Sequence, residues 1–126
     1  MEIAWWCVLV AGLMPVLAAA PAKLTRGYDN ADPRGWAARQ EGFRRRALAA
    51  HANAFEAFPL FAVAVIVADL EGMPQDPVDT LAVVWVLLRV AYTGAYYAGW
   101  ATLRSIVWVL AVGTAVAILT MPAWLF

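Results

Sequence analysis

The chain is poor in the side chains that keep a protein soluble. Only 14% of its 126 residues are charged, where a water-soluble domain carries about 25%. Its nine basic and nine acidic residues cancel, so there is no basic excess with which to hold a nucleic acid. One cysteine and one histidine exclude an internal disulfide and leave no set of metal ligands. Cys7 has no ligand partners nearby and reads as an apolar filler. No internal repeat, low-complexity stretch or soluble module is visible.

What the chain has instead is uninterrupted hydrocarbon. Residues of the apolar class make up 64% of the sequence, and mean hydropathy is +0.69. They come in long blocks rather than at amphipathic spacing. Crossing a bilayer core takes about 20 helical residues, and four blocks qualify: Ile3 to Ala22, Ala47 to Ala68, Thr80 to Tyr97 and Ser105 to Pro122. The expectation is an all-α polytopic membrane protein. One domain, 1–126, holds four transmembrane helices over about 3–22, 45–69, 79–98 and 104–123. Ala18-Ala19-Ala20 has the small-residue character of a signal-peptide cleavage site. Glu2 in place of a basic N-terminus, Pro21 after the cut and the length of the apolar run argue for a retained span.

Charge is distributed unevenly. The first connection, from Lys23 to Arg46, is strongly basic; the second holds Asp69, Glu71, Asp76 and Asp79 with no base; Arg104 lies in the third. The positive-inside tendency then puts the first and third connections in the cytoplasm, and the second connection and both termini outside. Trp5, Trp6, Trp100, Trp108 and Trp124 fall near span ends, where an aromatic belt belongs. In the long first connection, Asp32-Pro33-Arg34-Gly35 reads as a turn, and Trp36 to Arg46 as an extension of the second helix. The short second and third connections make neighbouring helices antiparallel.

Inside the spans, His51, Asn53, Glu56 and Arg89 stand out, because a charge at mid-membrane costs roughly 2.5–3.5 kcal/mol and seldom faces lipid. At about 100° per residue, Arg46, Asn53, Glu56 and Leu60 share one stripe, and His51 lies on the other side with a different neighbour. Arg89, Tyr92, Thr93 and Tyr96 have the i, i+3, i+4, i+7 spacing of a second stripe. Glu56 and Arg89 each lie about ten residues, or ~15 Å, from a helix end, so each is placed to neutralise the other. Asn53, Tyr92 and Tyr96 sit nearer the cytoplasm, with Arg46 and Arg104 at its edge: a polar wedge opening inward. A register-fixing pair needs Glu56, Arg89 and Asn53 alone; the tyrosines and Arg104 on the same side suggest a binding site. A proton or ion pathway through Glu56 and Arg89 is a further reading of the same residues.

Over nearly its full length the chain resembles the MAPEG family, the membrane-associated proteins of eicosanoid and glutathione metabolism. The resemblance rests on Arg46-Ala47 with His51-x-Asn53-x-x-Glu56-x-x-Pro59, on Arg89-x-x-Tyr92-Thr93-x-x-Tyr96, and on Arg104-Ser105. The stretch Tyr28 to Arg34 is similar to the bacterial branch. The resemblance implies a homotrimer of four-helix protomers in the bacterial inner membrane, with glutathione as cosubstrate between protomers on the cytoplasmic side. On that pattern Asn53, Glu56 and Arg89 would hold its polar ends, Tyr92 and Tyr96 would line the cleft, and Arg34 or Arg46 would take a carboxylate. Arg104 would stabilise the thiolate, with Ser105 as a nearby donor. The acceptor would be a lipophilic electrophile or lipid peroxide from the bilayer. One departure matters: arginines that glutathione-binding relatives carry just before the Asn are Ala49 and Ala52 here. A non-catalytic lipid-binding or scaffold trimer is the alternative.

Overall fold

In a computed structural model, described here for residues 2–125, six helices account for most of the chain: α1 Ile3–Lys23, α2 Pro33–Ala38, α3 Gly42–Leu70, α4 Gln75–Ala98, α5 Ala101–Leu119 and α6 Met121–Leu125. No strand occurs among the described residues. The helices α1, α3, α4 and α5 are long and apolar enough to cross a membrane.

Small residues decide which way each span faces. In α1 the buried positions Ala4, Cys7, Ala11, Met14 and Ala18 repeat at alternating intervals of three and four, while Ile3, Trp6, Leu9, Leu13 and Val16 point outward. In α3 the buried Ala47, Ala50, Ala54, Phe61, Ala64 and Ala68 follow the same rhythm. Lipid tails are as apolar as Leu, so nothing drives large side chains inward; small ones let backbones approach and gain van der Waals contact. The 3.5-residue period matches left-handed packing of neighbouring helices.

The connections are tighter than the apolar runs alone suggest. Only Gly99 and Trp100 separate α4 from α5, because Gly99 takes the left-handed conformation (φ 75°) and the Trp100 amide bonds back to Ala95 at 2.9 Å. Gly72 (φ 69°) closes α3 in the same way, with Met73 bonded to Ala68 at 3.0 Å. Glycine adopts this backbone without the Cβ clash other residues meet, which suits it to that terminus. The N-terminus of α1 is capped from a distance: the Ala4 amide donates to Asp79 Oδ1 at 2.8 Å, and Gln75 Nε2 donates to the same oxygen at 2.7 Å. The first helix therefore begins on the face where α3 and α4 are joined.

Three boundaries differ from the sequence expectation. Asp32-Pro33-Arg34-Gly35 is a helix start rather than a free turn: Asp32 Oδ1 accepts from the Gly35 amide at 3.1 Å and Pro33 occupies the first turn of α2. Trp36 to Arg46 is not one extension of the second span. The chain leaves the helix at Arg39–Glu41 and resumes at Gly42, since Trp36 is buried edge-on against Tyr28, with ring centroids 4.9 Å apart, and holds α2 in place. At the other end the fourth span stops at Leu119, and α6 turns off separately after Thr120.

Candidate functional site

The polar residues of the spans gather between α3, α4 and α5. Arg89 is the centre: it is 1% exposed, the largest fully buried side chain of the described chain. Its Nη2 donates to Asn53 Oδ1 at 2.7 Å, and its guanidinium carbon lies 4.2 Å from the centre of the Tyr92 ring. Its Nε is buried with no hydrogen-bond partner. The expected neutralisation by Glu56 is indirect. Asn53 stands between them, passing a long 3.5 Å contact from its Nδ2 to Glu56 Oε2. Asn53 is one helical turn before Glu56, and it is the amide, not the carboxylate, that meets Arg89. Glu56 is exposed on the flank of the helix bundle.

One turn toward the C-terminus of α4, Tyr92 and Tyr96 meet edge to face at 5.7 Å, and the Arg104 guanidinium lies 4.7 Å from the Tyr96 ring centre. Rings in this position hold a cation without quenching its charge. Asn53, Tyr92, Tyr96, Arg104, Ser105, Trp108 and Val109 line a cavity of about 470 Å³. A second cavity, of about 300 Å³, is lined by Asn53, Glu56, Leu60, Trp85, Arg89, Trp108, Ala111 and Ala115 among others. The two share Asn53 and Trp108 as a common wall. The upper chamber has cationic and hydroxyl walls; the lower is mostly aromatic and aliphatic, with the exposed Glu56 at its rim and the buried Arg89 at its back.

Of the sequence candidates, Asn53, Glu56, Arg89, Tyr92, Tyr96, Arg104 and Ser105 thus line the two chambers. Arg34 and Arg46 line neither. Arg34 is exposed on α2. Arg46 is turned to the end of α4, where its Nε donates to the Tyr97 carbonyl at 3.1 Å and offsets the unpaired carbonyls of a helix C-terminus. Thr93 leaves the expected stripe. Its hydroxyl bonds the Arg89 carbonyl at 3.0 Å, and with Tyr97 it lines a separate groove against α1. The 100° step between Tyr92 and Thr93 is enough to send them to different neighbours. His51 also faces α1, its Nδ1–H donating to the Pro15 carbonyl at 2.6 Å; a carbonyl only accepts, which fixes that tautomer. Tyr97 supports the same contact surface by donating its hydroxyl to the Ala18 carbonyl at 2.6 Å.

Sequence reasoning passed over Trp85, Ala111 and Ala115, and read Trp108 as part of an interfacial belt. Trp108 lies four residues after Arg104, on the same helical face, and that spacing was the available signal.

Fold and site define an integral, multi-pass membrane protein with a two-chambered polar site between its second, third and fourth spans. The MAPEG family model matches residues 3–124, nearly the whole chain, and the protein belongs to that family. No match to the chain was found among the curated proteins or among the solved structures.

Proposed function

We propose that this protein is a glutathione-dependent transferase or peroxidase for lipophilic electrophiles or lipid peroxides, working as a homotrimer. The observation that carries the reading is the convergence of Arg104, Ser105, Asn53 and two tyrosines on one chamber of about 470 Å³ that adjoins an apolar one. Glutathione would occupy the polar chamber from the cytoplasmic side, with the first and third connections inside and both termini outside. The exposed carboxylate of Glu56, in the middle of an apolar span, supports a neighbouring protomer that covers it, since an ionised group seldom faces lipid.

The chemistry follows from Arg104. A thiol with its ordinary pKa of about 8.5 is roughly 3% ionised at pH 7, and an adjacent guanidinium shifts it toward the nucleophilic thiolate. In conjugation the sulfur bonds to the electrophilic carbon, the leaving group departs with its bonding pair, and the thiol proton passes to water. With a hydroperoxide the sulfur attacks the outer oxygen, the O–O bond breaks, and the alkoxide takes the proton to become an alcohol. The resulting sulfenic acid condenses with a second glutathione to give disulfide and water. Full ionisation is worth at most about 30-fold at pH 7. Arg104→Ala should therefore cut conjugation of a generic electrophile by about ten-fold or more at pH 7, with the deficit shrinking above pH 9 as the thiol ionises unaided. Equal rates in the two proteins at pH 7 would remove Arg104 from the mechanism.

A second reading, a non-catalytic lipid-binding or scaffold trimer, is favoured by one feature of α3. Ala49 and Ala52 supply no cation, and Arg46 is engaged with the Tyr97 carbonyl rather than facing the chamber. Calorimetry decides between the two: absence of glutathione binding at millimolar concentration, together with co-purifying lipid, would favour the second.

A further inference from the structure

We infer that the groove between α1 and α4, on a face of the bundle away from both chambers, holds one acyl chain of an anionic phospholipid, with the lipid phosphate on Arg46. The inference stands apart from the transferase reading. Thr93 and Gly94 line this groove, whereas Tyr92 and Tyr96 line the polar chamber from another side of the same helix.

The two helices run in the same direction. Their starts are tied through the Ala4 amide and Asp79, and their far ends through the Tyr97 hydroxyl and the Ala18 carbonyl. Between these ties Val10, Met14, Leu17, Val90 and Gly94 border an open volume of about 350 Å³. Both hydroxyls of the lining are already committed, Thr93 to the Arg89 carbonyl at 3.0 Å and Tyr97 to the Ala18 carbonyl at 2.6 Å. The wall thus offers hydrocarbon and no free donor, which suits a chain and penalises a polar ligand. Gly94 keeps the floor open. It is exposed, its φ is not positive, and outside its own stretch of helix no heavy atom lies within 4 Å of where a Cβ would stand. Neither a turn nor a close contact within the chain calls for glycine there, and inside a helix glycine costs stability relative to alanine.

Charge selects the lipid. The groove ends at Tyr97, where Arg46 meets the C-terminus of α4. Its Nε donates to the Tyr97 carbonyl at 3.1 Å, and its two terminal nitrogens have no hydrogen-bond partner among the described residues. Beside it the exposed Phe43 packs against the Tyr97 ring at 5.2 Å, and Arg44 and Arg45 are exposed on the same turn. From Lys23 to Arg46 seven bases outnumber three acids. Basic residues where spans leave the membrane attract anionic headgroups, and the guanidinium fork matches a pair of phosphate oxygens. A chain laid along the groove from Tyr97 toward Val10 therefore has its phosphate at Arg46.

The test is native mass spectrometry of protein released from nanodiscs made of equal parts phosphatidylglycerol and phosphatidylcholine with matched chains. The wild type should retain phosphatidylglycerol over phosphatidylcholine by about five-fold, the effect of one surface base on an anionic lipid. Gly94→Leu should lower retention of both lipids at least about ten-fold, because the new side chain takes the place of the chain atoms that make the contacts. Leucine is the better helix former and meets no neighbour there, so this variant folds. Arg46→Gln should keep a lipid but bring the ratio of the two to within about two-fold of one. Gly113→Leu, equally open on α5, should behave as the wild type does. Equal retention in Gly94→Leu, or an unchanged preference in Arg46→Gln, would overturn the inference. So would a change in the number of chains per particle in Gly94→Leu, which would mean that a second copy covers the groove. Calorimetry with glutathione on Gly94→Leu keeps the two readings separate: lipid loss with glutathione binding as in the wild type supports the groove and leaves the transferase reading standing, and failure of glutathione to bind either protein refutes only the latter.

Discussion

Removing Asn53 isolates the interaction on which the centre of the bundle depends. In Asn53→Ala, Arg89 keeps its ring contact with Tyr92 at 4.2 Å but loses its hydrogen-bond partner at 2.7 Å. A hydrogen bond to a charged group contributes about 1.5–3 kcal/mol in proteins generally. Interhelical hydrogen bonds in membranes average nearer ~0.6 kcal/mol, because the unfolded chain also finds partners in the bilayer. Two features push this pair toward the upper figure: Arg89 is 1% exposed, and its remaining donors have no alternative on the protein. The expected loss is about 2 kcal/mol. A double-mutant cycle separates this from the loss of amide packing. In Arg89→Met the charge is gone, so adding Asn53→Ala should cost only about 0.5 kcal/mol, leaving a coupling energy of about 1.5 kcal/mol. Unfolding in mixed micelles as the mole fraction of dodecyl sulfate rises measures all four proteins. A coupling below ~0.3 kcal/mol, within ordinary additivity, would refute the reasoning. It would mean that Glu56 swings in to compensate Arg89 directly and that Asn53 is a spectator.

Two predictions concern the contacts that hold the first span. His51→Ala removes the bond to Pro15 and the edge contact with Phe55 at 5.1 Å; stability should fall by about 1 kcal/mol, while glutathione affinity by calorimetry stays as in the wild type, because His51 faces away from both chambers. Asp79→Ala deletes the remote cap on α1 and should cost about 1 kcal/mol, with faster amide exchange at Ala4 read by deuterium uptake. Asp79→Asn keeps an acceptor oxygen and should recover most of that protection; equal exchange in both variants would argue that Gln75 or water caps the helix instead.

The spans were legible because each is an apolar block long enough to cross a bilayer; their inward faces, marked by small residues at 3.5-residue spacing, emerged only from the structure. That Asn53 and Glu56 share one face of α3, with His51 on the far side, also followed from helical angle; the expected partner of Arg89 was Glu56, and it is Asn53 that makes the bond. The rest depended on quantities that angle does not contain. Whether Asn53 or Glu56 reaches Arg89 turns on the gap between α3 and α4 at that level. Arg46 shares a stripe with Asn53 by angle, yet it lies two turns away, level with the end of α4, and the free carbonyl there captures it. Thr93 and Tyr92 differ by one step along the helix, and only the positions of α1 and α5 decide that they part. The short α2 escaped notice because a six-residue helix carries no periodicity, and its stability comes from Trp36 rather than from its own length.

The lower chamber has a cause in side-chain size that no single residue reveals. Phe61 and Trp85 stack face to face at 3.9 Å, nearly parallel at 4°, and both are buried. Two large rings at one level keep α3 and α4 apart. Toward the site, the facing positions on α3 and α5 are Ala57, Ala111 and Ala115, too short to fill the gap that the rings hold open. Alanines that look like close-packing residues elsewhere in this chain therefore bound an open volume here. The same residue type joins α1 to α3 where it faces alanine, and leaves a chamber where it faces a tryptophan–phenylalanine stack. The chamber is thus a packing mismatch beside a guanidinium whose Nε has no partner, an open volume of a kind that a close-packed interior lacks.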